Sequence, residues 1–134
     1  MRYLLDTNIC IYLIKQKPLQ VLEKFSAYAV GNIGISAITV SELWYGVAKS
    51  THQKANAQAL TQFLLPLTVS SFNEGAAEAY GEIRAALERE GQPIGAMDML
   101  IAAHAVSLGV VLVTNNEREF VRVPGLHVEN WVRA

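Results

Sequence analysis

Several acids are spaced along this chain at positions where folding could gather them. Asp6 directly follows the apolar run Tyr3-Leu4-Leu5, and Glu42 lies in Thr39-Val40-Ser41-Glu42-Leu43. Asp98 opens the segment Asp98-Met99-Leu100-Ile101-Ala102-Ala103-His104. Asn116 and Glu119 follow the run Val110-Val111-Leu112-Val113, with Thr114 between. Carboxylates brought close repel one another and resist ionisation unless a cation neutralises them. An all-oxygen set of this kind suits Mg²⁺, with Mn²⁺ as a substitute.

Each residue also has a plain structural reading. Asp6 is a good N-cap for a following helix. Thr39-x-x-Glu42 has the form of a capping box. Asp98 could be a first-turn charge set favourably against a helix dipole. At helical spacing, however, it shares a face with Ile101, Ala102 and Ala105, where a carboxylate must be paired, protonated or metal-bound. Asn116 could offer an amide oxygen, Glu119 is the nearest carboxylate one turn beyond, and Thr114 could orient either. Zinc fits poorly. Cys10 stands alone, and His52, His104 and His127 lack ligand spacing. His104, in an apolar stretch, reads as a hydrogen-bonded core histidine.

The elements that must position these groups alternate. Short strands are expected at Tyr3–Leu5, Ile33–Ser36, Leu67–Val69, Val110–Val113 and Leu126–Val128. Helices are expected at Ile9–Lys15 and Leu19–Phe25, then over Val40–Lys49 and Ala55–Leu65. Two more are expected from Asn73 or Glu74 to Glu90 and over Ala96–Leu108. Pro18 and Pro66 break helices, and Gly91 and Gly109 follow helix ends. Alternating apolar strands and helices imply a three-layer α/β/α fold with a short-stranded, mainly parallel sheet. Such sheets bind ligands beyond the carboxyl ends of their strands, which is where these polar residues fall.

The bulk numbers agree with one domain over residues 1–134. A chain of 134 residues, 51% apolar, can bury a core without disulfides or a structural metal. No apolar run approaches the length of a membrane span. Asp6 comes too early for a signal peptide, so the expected location is the cytoplasm. Net charge is −1, but setting aside Asp6, Glu42 and Asp98 as ligands takes it to +2. Near-neutrality therefore does not exclude RNA, although it argues against a broad basic face.

Leu5-Asp6-Thr7-Asn8, Ser41-Glu42-Leu43, the Asp98 segment through Ala105, and Leu112-Val113-Thr114-Asn115-Asn116 together resemble the PIN-domain family. They are most similar to the VapC-type toxins of bacterial toxin–antitoxin pairs. The resemblance runs from Met1 to about Trp131, and Gly91-Gln92-Pro93-Ile94-Gly95 looks like the enterobacterial branch. It implies acids at Asp6, Glu42 and Asp98, with a fourth usually in a T-x-D pattern. Here Asn116 replaces that acid, so Glu119 is the alternative source of charge. Thr7 and Ser36 match small hydroxyl positions that support the ligands. The implied activity is a Mg²⁺-dependent endoribonuclease that cuts tRNA, initiator tRNA foremost, and so inhibits translation. The implied assembly is a homodimer restrained by a VapB-type antitoxin.

Lys15, Lys17, Lys49, Arg84, Arg89 and Arg118 could meet phosphates or simply be solvated. Tyr12, Trp44 and Tyr45 could stack on bases. With Leu13 they could instead form an antitoxin groove. Two other function classes compete. An aspartyl phosphatase of the haloacid dehalogenase type would need D-x-D-x-T, but Asn8 holds the second acid's place. A degenerate domain that only binds RNA or a partner would explain Asn116.

Overall fold

The computed structural model describes residues 1–132. Five parallel strands are β1 (Tyr3–Leu5), β2 (Ile33–Ser36), β3 (Thr68–Ser70), β4 (Val111–Val113) and β5 (His127–Glu129). Their spatial order is β3-β2-β1-β4-β5. The helices are α1 (Thr7–Lys15), α2 (Leu19–Ala27), α3 (Ala37–Ala48), α4 (Gln53–Leu64), α5 (Glu74–Arg89), α6 (Ala96–Leu108) and α7 (Glu117–Phe120).

The period of two along each strand divides the core. Tyr3 and Leu5 join Ile33, Ile35 and Val113 on one face, against Ile9, Leu13, Val21, Leu43 and Leu60 of α1 to α4. Leu4 and Leu112 face the other way, onto Ile83 and Leu87 of α5 and the Met99–Ala105 side of α6. All three residues of β1 are buried, as a central strand covered on both faces must be. Gly34 has a packing reason. A Cβ there would lie 2.8 Å from the Thr68 carbonyl oxygen, so a side chain would push β3 off β2.

From β1 the chain builds outward through β2 to β3, then returns to place β4 on the other side of β1. The order therefore reverses between β1 and β4, and a crevice is expected outside their carboxyl ends. Asp6 and Thr114 are the first residues past those ends. The pairing runs on beyond the strands: Asp6 N donates to Val113 O at 2.9 Å, and Thr114 N to Glu129 O at 2.9 Å.

The expected strands and six longer helices form, with ends that match or shift by at most three residues. One shift changes a residue's role. Helix α3 starts at Ala37, not Val40, and its N-cap is Ser36, whose hydroxyl accepts from Ile38 N at 3.0 Å. Thr39 is thus inside the first turn and fully buried, so Thr39-x-x-Glu42 is not a capping box. Helix α7 is not among the expected helices. Four residues are too few for a hydrophobic period to register.

Candidate active site

Four helices present polar groups at the carboxyl edge of the sheet. Asp6 is the N-cap of α1: its extended backbone turns the side chain so that Oδ1 accepts from Ile9 N at 2.9 Å. The other oxygen, Oδ2, accepts from Thr114 Oγ1 across the β1–β4 boundary. The capping reading of Asp6 is therefore correct, yet it uses only one oxygen. The residue is 5% exposed, and burial pushes its carboxyl up to about 6. The Thr114 and Ile9 hydrogen bonds oppose that rise, while the nearby Glu42 charge adds to it.

Asp98 sits in the first turn of α6, half-buried. Its carboxyl also rises to about 6, first through burial and then through the charges of Glu119, Asp6 and Glu42. A hydrogen bond shared with Glu119 raises it further, because that bond needs a proton between the two carboxyls. Asp98 is thus the group on which the field of the other three acids converges, although they come from α3, α7 and the end of β1.

Glu42, on α3, accepts from Thr7 Oγ1, and the Thr7 and Thr39 hydroxyls lie 3.5 Å apart. Glu119, on α7, takes two donors: Gly95 N to Oε1 at 2.7 Å and Asn116 Nδ2 to Oε2 at 2.8 Å. Asn116 N in turn donates to Thr114 Oγ1 at 2.9 Å, so the hydroxyl that holds Asp6 also fixes the turn into α7. Ser36 lies apart from this network. Its Oγ contacts His104 Nδ1 at 2.7 Å and accepts from Ile38 N, and both residues are buried. His104 is the hydrogen-bonded core histidine expected of it, with the Phe72 ring edge-on 5.4 Å away.

The acids share one electrostatic neighbourhood. As the side chains stand, no three His, Cys, Asp or Glu groups among the described residues meet the spacing of a ready-made ion site. Thr7 holds Glu42 and the Gly95–Asn116 pair holds Glu119. The donor set still fits a hard divalent cation. It offers carboxylate oxygens whose mutual repulsion such an ion would relieve, and His104, on the same helix as Asp98, is committed to Ser36.

On the surrounding surface, Tyr12, Leu13, Trp44 and Tyr45 differ in exposure. Leu13 is buried, while Trp44 and Tyr45 are 40% and 65% exposed. A groove of about 250 Å³ opens beside them between α1, α3 and α4, walled by Ile11, Ile14, Leu43, Val47 and Leu60. Lys15 and Glu42 also line it, so one of the four acids borders the groove. Of the basic candidates, Arg84 is paired with Glu88 at 3.1 Å on α5, and the Lys49 ammonium lies 4.8 Å from the Tyr45 ring centre. The half-buried Tyr12 hydroxyl accepts from Asn115 Nδ2 at 2.8 Å.

Comparison with known proteins gives this geometry a family. The chain matches the PIN domain over residues 3–126. It is 46% identical over 132 residues to the ribonuclease VapC2 of Haemophilus influenzae, covering 98% of this chain and 99% of that one. It is 44% identical over 131 residues to the tRNA(fMet)-specific endonuclease VapC of Shigella flexneri, covering 98% of each. It superposes with a TM-score of 0.92 and 43% identity on a chain of the Rickettsia felis VapBC2 structure, crystallised with a promoter DNA fragment, covering 98% of this chain and 99% of that one. The chain belongs to the PIN-domain family, among its VapC ribonucleases.

Proposed function

We propose that this chain is the toxin of a toxin–antitoxin pair, a Mg²⁺-dependent endoribonuclease that cuts tRNA in the cytoplasm and so inhibits translation. Initiator tRNA is the leading substrate, on the strength of the Shigella relative's name. A VapB-type antitoxin is the partner, on the strength of the Rickettsia complex, and the working unit is a homodimer. The observation that carries the metal reading is Asp98, whose carboxyl feels Glu119, Asp6 and Glu42 together.

In this reading Asp6 and Asp98 are the principal ligands. Glu42 is a further ligand or the group that positions the attacking water, and Glu119 completes the negative charge. A cation held there would lower the pKa of water and neutralise charge on the phosphate. Thr114 keeps Asp6 in place while Ile9 N occupies its other oxygen. Thr7 does the same for Glu42. In the same reading Ser36 serves the fold and not the acids, since its hydroxyl bonds His104 and caps α3.

The phosphatase alternative loses its ground to the family match, and Asn8, in the place of its second acid, is exposed. The binding-only alternative rested on Asn116. With Glu119 beside Asp98, four carboxylates remain, which supports catalysis. Sequencing RNA ends after expressing the chain tests the substrate. Cuts confined to initiator tRNA are expected, and cuts spread over messenger RNA would overturn the tRNA assignment.

A further inference from the structure

The family resemblance puts an acid where this chain has Asn116, and the structure suggests what the amide does instead. We propose that Asn116 is a positioning residue for Glu119, holding its carboxylate toward the other acids rather than meeting the cation itself. Three observations carry this. The Asn116 amide nitrogen donates to Glu119 Oε2 at 2.8 Å. A carboxylate can only accept, so the amide must present its NH₂ to Glu119. The second carboxylate oxygen is taken by Gly95 N at 2.7 Å, so each oxygen has its own donor. Glu119 in turn stands against Asp98, whose carboxyl it raises more than any other charge does.

The geometry also gives the clamp a structural task. Gly95 is the N-cap of α6 and has no side chain with which to cap it. Glu119 accepts the Gly95 N–H from 24 residues away and so ties α7 to the start of the helix that carries Asp98. Helix α7 is only one turn long, and without Asn116 the Glu119 side chain would keep one anchor instead of two.

The inference rests on the metal-site reading, and its test is binding of Mn²⁺ alone, followed by electron paramagnetic resonance on the full chain without RNA. Wild type, Asp6→Asn, Asn116→Ala, Glu119→Gln and the Asn116→Ala/Glu119→Gln double variant are compared, each checked for folding by circular dichroism. Asn116→Ala is expected to weaken binding on the order of tenfold, as loss of a ligand's hydrogen-bond partner does. Glu119→Gln should weaken it at least as much, and adding Asn116→Ala should then change nothing. If Asn116→Ala has no effect, or weakens binding equally in both backgrounds, Asn116 does not act through Glu119 and the proposal fails. It fails also if Glu119→Gln binds as wild type. Should Glu119→Gln not fold, Glu119→Asp, too short to reach both donors, takes its place with the same expectation. If wild type itself binds no Mn²⁺, or Asp6→Asn binds as well as wild type, the metal-site reading falls and takes this inference with it.

Discussion

Thr114 donates its hydroxyl hydrogen to Asp6 across the seam between β4 and β1, joining residues 108 positions apart. The same oxygen accepts from Asn116 N, so one buried hydroxyl sets both the first acid and the entry to α7. Replacing Thr114 by Val keeps the shape and removes both bonds. Divalent-ion affinity should fall on the order of tenfold. Stability should fall by about 1–3 kcal/mol, because Asp6 Oδ2 and Asn116 N are left short of a partner. Isothermal titration with Mg²⁺ and urea unfolding read the two effects separately, and unchanged Mg²⁺ affinity would remove Thr114 from the site.

Ser36 should behave differently, although both hydroxyls end a central strand. Its bonds go to His104 and to the first turn of α3. Ser36→Ala loses an N-cap and strands a buried ring nitrogen, so it should cost about 1–3 kcal/mol in urea unfolding. Mn²⁺ affinity of the folded variant should stay within about threefold of wild type, well short of the loss expected at a ligand's direct partner. A loss as large as that of Thr114→Val would place Ser36 back in the support of the acids.

The metal-free protein should lose stability as pH rises through the acid range. Asp6 and Asp98 titrate near 6 when folded, against 3.8 as the ordinary value. Between those values the folded state holds more protons than the unfolded one, so stability falls with rising pH. Above about pH 6 the penalty is fully developed, on the order of 3 kcal/mol for the buried Asp6. Urea midpoints in EDTA should drop from pH 4 to pH 7.5, and Mg²⁺ should restore the loss at pH 7.5. Asp98→Asn should match wild type near pH 4 and exceed it at pH 7.5. A variant less stable than wild type at pH 7.5 would mean that Asp98 is not under repulsion.

Much of this was legible in residue order, and the failures have physical causes. The unbroken apolar runs Val110–Val113 and Tyr3-Leu4-Leu5 announce buried central strands, and the sheet rule then places Asp6 and the Thr114 loop at one edge. The start of α3 is ambiguous in the sequence because Ser36 and Thr39 are both competent caps, and only the end of β2 decides between them. How Glu119 is held could not be read locally. It turns on Gly95 N, a backbone group 24 residues away, and on the first turn of α6. Ser36 matched a motif, but its partner His104 lies 68 residues on, and no spacing rule links them. The apolar groove between α1, α3 and α4 was not legible, because the helix rotations that expose Trp44 and bury Leu13 depend on packing.

The central claim is that these carboxylates act together, through a divalent cation, to cut RNA. Purified protein should be incubated with initiator tRNA in Mg²⁺ or in EDTA, alongside folded Asp6→Asn and Asp98→Asn. Wild type should cleave in Mg²⁺ and stop in EDTA, and each variant should be slower on the order of 10³-fold or more, since a principal ligand stabilises the transition state by several kcal/mol. Cleavage that persists in EDTA, or at wild-type rate in either variant, would contradict the account.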